Sequence, residues 1–262
     1  HIGGMKIFDN SLDLRSVDRI SIHQVLEQDK KIDVRHGFLH IPKTGGTSIV
    51  DFLQSIETSI NSRPILFFHS WKLSLIRSYL PGVKVSFVIR DPIERLISGF
   101  QSRLRSGKPR YNQPWRLYEA VSFSLFPTVR DMLDGLLRDD DYSLSATEFA
   151  LNNILAVSWN YEHFFGSREE ITKARENISI VGEIDRMNDF LKAFFESTIT
   201  LAEGGLAIEQ LLENYQIRHQ SQESSRNILK EYSEGDINIL HSRLKKEYEI
   251  YDGLRSLIDS GS

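Results

Sequence analysis

The sequence predicts an α/β fold in which a parallel sheet is flanked by helices. Two observations carry this expectation. Short apolar runs of strand length alternate with stretches whose apolar residues recur at helical spacing, and the runs stop sharply at Pro42, at His69 and at Arg90-Asp91-Pro92. A third is size. The chain has 262 residues, 40% of them hydrophobic, enough for one sizeable core. No Pro/Gly/Ser-rich tract, heptad array or repeat divides it, so a single domain is expected over residues 1–262.

The first strand is read at Gly37-Phe38-Leu39-His40-Ile41. A small-residue loop follows, and then Ile49, Phe52, Leu53, Ile56 and Ile60 recur at helical spacing. Ile65 to Phe68 reads as a second strand ending at His69, Val83 to Ile89 as a third, and Ile178 to Val181 as a fourth. After the third strand, Asp91 is a good helix N-cap, Pro92 suits the first helical position and Glu94 completes a capping box. The helix it opens carries Ile93, Leu96, Ile97, Phe100 and Leu104 on one face. Lys108 to Trp115 holds two prolines and reads as a loop. Val129 to Leu137, Thr147 to Val157, Asp189 to Ala202 and Ile237 to Tyr251 read as helices.

Composition narrows the function. The net charge of -4 does not indicate a generally basic, nucleic-acid-binding surface. The absence of cysteine excludes disulfides, thiolate metal sites and a cysteine nucleophile. The eight histidines show no HExxH-like spacing, so no metal is expected. No apolar run reaches the roughly 18 residues of a membrane helix. His1 to Gly4 reads as a cloning remnant ahead of a native start at Met5, and a cytoplasmic protein is expected.

The loop Pro42-Lys43-Thr44-Gly45-Gly46-Thr47-Ser48 has the makings of a phosphate socket. Two glycines let the backbone approach an anion, and the helix start behind them adds unpaired N–H groups and a positive dipole end. Lys43 adds a full charge, and Thr44, Thr47 and Ser48 add hydroxyls. It is not a Walker A loop, whose lysine follows the last glycine.

His40-Ile41-Pro42-Lys43-Thr44-Gly45-Gly46-Thr47-Ser48 resembles the 5'-phosphosulfate loop of sulfotransferases that use 3'-phosphoadenosine 5'-phosphosulfate (PAPS), in the branch with heparan sulfate 2-O-sulfotransferases and many bacterial proteins. The resemblance implies a P-loop-like sulfotransferase fold, with residues 37–60 as the 5'-phosphosulfate region and Lys43, Thr44, Gly45, Gly46, Thr47 and Ser48 as cofactor ligands. It also implies a 3'-phosphate region at 83–105. There the family uses an arginine at a strand end and a serine eight residues later, and Arg90 and Ser98 match. Ser98 falls off the apolar stripe of its helix, which suits that role. Ile180-Val181-Gly182-Glu183-Ile184-Asp185-Arg186-Met187 is similar to the family's segment after the fourth strand, and Asn152 to Trp159 occupies the place of its Asn-Gln helix.

Sulfuryl transfer by in-line attack needs a cation at the leaving phosphate and a base for the acceptor hydroxyl. Lys43 is the cation. His69, just after the second strand, is the candidate base, although Phe68 stands where family members often carry glycine. His40, His36 and Glu57 are weaker candidates. Arg103, Arg105, Lys108, Arg110 and Arg116 form a run without acidic residues, which reads either as an ordinary solvated loop or as a surface for an acidic acceptor. The acceptor classes are carbohydrate (an acidic or neutral glycan), lipid, peptide tyrosine and small metabolite, with carbohydrate favoured by the family branch. The rival readings are a P-loop-type kinase using ATP and a nucleotide-binding protein without catalysis.

Overall fold

In the computed structural model of the chain, residues 5–8, 35–46, 48–50, 52, 60–62, 65–69, 71–109, 111–201 and 224–259 are described. The chain forms two compact units, one from His1–Ile89, Phe164–His219 and Gly253–Ser262, the other from Arg90–His163 and Gln220–Asp252. Three of the crossings fall at the Ile89–Arg90 step, inside the Tyr161–Phe165 helix and inside the Lys245–Asp259 helix. No linker composition marks them, because the chain crosses within or beside regular elements.

The first unit holds strands β1 (Met5–Phe8), β2 (His36–His40), β3 (Ile60–Ser62), β4 (Ile65–His69), β5 (Lys84–Ile89), β6 (Ile178–Glu183) and β7 (Ile199–Leu201). Five make one sheet in the order β1-β4-β2-β5-β6. β4, β2, β5 and β6 run parallel, as expected for strands joined by helical crossovers. The expected sheet gains an antiparallel edge strand, β1, paired to β4. β3 and β7 form a separate antiparallel pair.

β2 lies in the middle of the sheet, and Gly37, Phe38 and Leu39 are buried, as a two-sided strand requires. On one face Phe38 and Val88 meet Ile49, Phe52 and the Met187–Thr198 helix through Met187, Phe190, Leu191, Phe194 and Phe195. The Phe38 ring stands edge-on to Phe190 and Phe194 at 6.2 Å. On the other face Gly37 leaves room for Phe68, whose ring would lie 2.4 Å from a Cβ there. Phe68 packs on Trp71, and Phe87 on Phe165.

The second unit is helical. The predicted face of the Pro92–Leu104 helix is buried through Ile93, Leu96, Ile97 and Phe100, against Phe123, Met132, Leu133 and Leu240. Leu104 is only partly buried. Three expected helices differ in extent. The Asp141–Asn153 helix breaks at Ile154, which is extended (φ -77, ψ 111), before Leu155–Ser158. The C-terminal helix is two, Glu234–Arg243 and Lys245–Asp259. The Met187–Thr198 helix ends where Thr198-Ile199-Thr200 begins, and Ile199–Leu201 is β7. A β-branched run favours strand over helix. Ile60, expected on the first helix, opens β3. Leu53, Ile56 and Glu57 lie outside the described residues.

Arg103 does not belong to an exposed basic patch. Its guanidinium makes a two-point pair with Glu119 at 2.7 Å for both bonds, with side chains 1% and 0% exposed. Apolar Phe100 and Leu104 on the same helix draw this side chain inward, and Glu119 meets it. The carboxylate also accepts the amides of Arg116 and Leu155. Burial pushes the Glu119 carboxyl up, but Arg103 and these two amides outweigh it and hold it below the usual carboxylate range. Arg105, Lys108 and Arg116 remain on or near the surface, and Arg110 lies outside the described residues.

Since the folded value of Glu119 is depressed, its stabilisation is complete above the unfolded pKa of about 4.3 and is lost as pH falls through the folded value. Arg103→Met is therefore expected to cost about 3–5 kcal/mol at neutral pH, the scale for stranding a buried charge. In urea titrations the gap from the parent should narrow in acid. A variant as stable as the parent at neutral pH would show the pair to be dispensable.

Candidate functional site

Two clusters contain the predicted residues, and each is described within its own unit. The first gathers at the carboxyl ends of β2 and β4. Because the strands are parallel and Phe38 is level with Phe67, His40 is level with His69. Their rings stand perpendicular, 4.4 Å between centroids, with the two Nδ1 atoms 2.8 Å apart in a hydrogen bond. His36 opens β2 four residues earlier, about 13 Å away at a strand's rise per residue, so it is no part of this cluster.

The loop leaves β2 directly after His40. Thr44 is fully buried and donates its hydroxyl to the Ile41 carbonyl at 3.0 Å, which braces the turn. It is thus a brace for the loop as well as a predicted ligand. Lys43 has φ 70 and Gly45 φ 88, both left-handed. A lysine there costs of order 1–3 kcal/mol, a strain that commonly marks functional loops. The Gly45 carbonyl accepts from Ser48 N–H at 2.9 Å and Ile49 N–H at 3.3 Å, so the helix begins at the glycine pair.

Gly45 is required by its left-handed backbone and Gly46 by its surroundings. A Cβ on Gly45 would lie 2.4 Å from Met187 Cε, with Ile184 just beyond, and one on Gly46 would lie 2.0 Å from His40 Cδ2. Ile184 and Met187, just after β6, therefore wall one side of the loop, and the His40 ring walls the other. Lys43 is partly exposed and Ser48 buried, while Thr47 lies outside the described residues.

The second cluster starts at Arg90. Tyr161, fully buried, accepts the Arg90 N–H at 2.8 Å and donates its hydroxyl to the Arg90 carbonyl at 2.6 Å. Burial pushes the Tyr161 hydroxyl pKa up, so it stays protonated and can keep donating. Asp91 caps the helix through the Glu94 amide at 3.0 Å, and Pro92 takes the first helical position, as expected. The reciprocal half of the capping box is absent. The Glu94 carboxylate turns instead to Arg90 (3.2 Å) and Arg226 (3.0 Å), because charge-assisted bonds outcompete a bond to a neutral amide.

Arg90 is thus an ion-paired arginine, and it also donates to Ser225 Oγ at 2.7 Å. Its bonds use Nε and Nη2, and none from Nη1 is seen among the described residues. Glu94 and Ser98 lie one turn apart on the helix, Arg90 precedes its N-cap, and all three are partly exposed. Two guanidinium groups, Arg90 and Arg226, share the Glu94 carboxylate.

Tyr161, Ser225 and Arg226 were not singled out by sequence. Tyr161 is 71 residues and Ser225 135 residues from Arg90, and no local spacing announces such contacts. Ser225 opens the Ser225–Leu229 helix. A cavity of about 210 Å³ beside Phe126, Asp134, Arg138 and Tyr142 contains none of the predicted residues. Among the described residues no group of His, Asp and Glu is gathered as a metal site, and no helix is long and apolar enough to cross a membrane.

No protein-family model, curated protein or solved structure matches the chain.

Gly46→Ala is expected to push the His40 ring off the loop and destabilise the chain by about 1–3 kcal/mol, the cost of overpacking. Gly82→Ala, with nothing within 4 Å of its Cβ, is the control. Equal thermal unfolding midpoints for the two variants would show that the loop yields freely.

Proposed function

We propose that the chain is a PAPS-dependent sulfotransferase of P-loop-like sulfotransferase fold, acting on an acceptor hydroxyl, with a glycan the favoured acceptor. The observation that carries the reading is the first cluster: a strained, lysine-bearing glycine turn at the end of β2, level with a histidine at the end of the neighbouring parallel strand. Carboxyl ends of parallel strands are where α/β sheets bind ligands. The groups needed for anion binding and for proton removal thus come from one end of one sheet.

PAPS supplies a sulfuryl group already joined to a phosphate leaving group. Lys43 and the amides of the glycine turn bind the phosphate end and offset the charge that develops there. His69 takes the proton of the attacking hydroxyl. Arg90, with Ser98 on the helix that follows it and Arg226 beside Glu94, offers the second anion site for the 3'-phosphate. Lys43 and Arg90 belong to different units, so the reading requires both units to hold one nucleotide.

Incubation with labelled PAPS and a panel of acceptors, read by mass, is the direct test. Sulfated product is expected. Consumption of ATP with PAPS ignored would make the chain a kinase, and nucleotide retention without turnover a binding protein.

His69→Ala should lower turnover roughly 10²–10⁴-fold, the scale for losing a general base, with nucleotide affinity near that of the parent. Unchanged turnover removes His69 from the mechanism. Lys43→Ala and Arg90→Ala should each weaken binding of adenosine 3',5'-bisphosphate in calorimetry. If only one of them does, the two anion sites do not serve one nucleotide.

A further inference from the structure

Nine large hydrophobic side chains are exposed among the described residues, and seven of them lie between Tyr111 and Tyr142, in the second unit. They centre on the Leu117–Leu125 helix, where Leu117 is 73% exposed, Tyr118 59%, Val121 41% and Leu125 37%. This helix shows no charge to its surroundings, because its one charged residue, Glu119, is buried against Arg103. A helix that faces water normally presents charged residues on that side. A concentrated apolar patch marks an interaction surface. The patch also has ends of opposite charge. Arg105, Lys108 and Arg116 stand at the helix start, Arg116 as its N-cap, and no exposed acidic residue lies between Arg105 and Leu125. The loop bearing them is tied down by Gln113 N–H on the Ser106 carbonyl at 2.9 Å and by the Trp115 indole N–H on the Arg103 carbonyl at 2.8 Å. At the helix end, Leu125 lines the cavity with Asp131, Asp134 and Tyr142, and Asp139, Asp140 and Asp141 directly precede Tyr142. These five aspartates outnumber the cations beside them. Arg138 lines the cavity, Arg243 pairs with Asp139, and Arg130 is matched by Glu231.

We propose that this face binds a second copy of the chain, about a two-fold axis crossing the Leu117–Leu125 helix near Val121. An apolar face with one basic and one acidic end complements itself when the two helices run antiparallel, and a two-fold axis perpendicular to them sets them so. Leu117 of each copy then lies against Leu125 of the other, and Val121 meets Val121. The basic start of each helix meets the acidic end of the other, which steers the two copies into one register. Nine residues of helix span about 13 Å. That alone falls short of the roughly 800 Å² a side of a specific interface, so the 105–116 loop and the start of the Asp141–Asn153 helix complete it. An acidic glycan or peptide would satisfy the basic end and leave the apolar centre and the acidic end uncovered. A second copy covers all three. The inference does not depend on the sulfotransferase reading.

The test is sedimentation of the full chain from about 1 to 100 µM, a range that brackets a micromolar dissociation constant. A monomer–dimer equilibrium is expected, weakening as salt is raised and the end charges are screened. Val121→Lys places two like charges at the axis and should weaken association at least roughly 100-fold, with the circular dichroism of the parent, since residue 121 is exposed in the single chain. The chain has no cysteine. Val121→Cys should therefore give a disulfide-linked dimer on air oxidation, because the axis brings the two thiols together. Ile239→Cys, equally exposed at 41% but on the Glu234–Arg243 helix, should not. A chain that is monomeric at about 100 µM overturns the proposal, and so does a dimer that Val121→Lys leaves intact or that links as readily through residue 239 as through residue 121. A monomer that binds a sulfated oligosaccharide at this face, with binding lost in Arg116→Ala, makes the face a glycan site and overturns it as well.

Discussion

The parallel register of β2 against β4 is the constraint on which the first cluster depends. It sets His40 level with His69, and since side chains alternate along a strand, a slip of one residue would turn the two imidazoles to opposite faces. The register is held by what lies behind it. Phe38 is locked edge-on between Phe190 and Phe194 on one face, and Gly37 yields its space to Phe68 on the other. A larger residue at 37 would displace Phe68 from beneath the site. The packing of the sheet and the approach of the histidines are thus one problem with one solution.

The same economy governs the loop. Gly45 and Gly46 answer different demands. Gly45 permits the left-handed turn, and Gly46 leaves the volume that the His40 ring fills. Lys43 lacks that freedom and still adopts a left-handed backbone, held there by the Thr44 brace before it can relax. In the second unit, order is imposed by buried polar groups. Glu247 accepts the amides of Tyr161 and Glu162 and stands 3.6 Å from Arg95, whose guanidinium also donates to the Trp159 carbonyl and sits over the Tyr161 ring. Tyr161, fixed in this way, holds both backbone groups of Arg90. A buried charge pair gains geometric definition more than stability, even though Arg95 Nε is buried without a hydrogen bond among the described residues, and here the definition is delivered to the residue that starts the second cluster.

The electrostatics of that cluster follow from competition. Glu94 could have closed a capping box, as its spacing from Asp91 suggests, but two arginines are stronger claimants than one amide. Glu94 thereby keeps Arg90 and Arg226 together while lowering their joint charge.

Much of this was legible in the sequence wherever the deciding forces act between near neighbours. The four parallel strands showed as apolar runs with sharp ends, the Asp91–Pro92 helix start as a capping pattern, and the glycine turn as a cluster of residues with special backbone freedom. The edge strand β1 and the β3–β7 pair were not legible, because strands of three or four residues carry too little periodicity and are defined by their partners. The basic run at 103–116 misled because charge alone does not reveal that Arg103 has a buried partner at Glu119. By itself, then, the sequence determined the order of the four parallel strands and the helix start at Asp91–Pro92, and it marked Lys43, His69, Arg90 and Ser98 as residues of interest. Only tertiary structure decided that His40 bonds His69, that Tyr161 holds Arg90, and that Ser225 and Arg226 join Glu94. Local propensity acts over a few residues, whereas these contacts join positions 29 to 135 residues apart and exist only once sheet register and helix packing have brought them within reach.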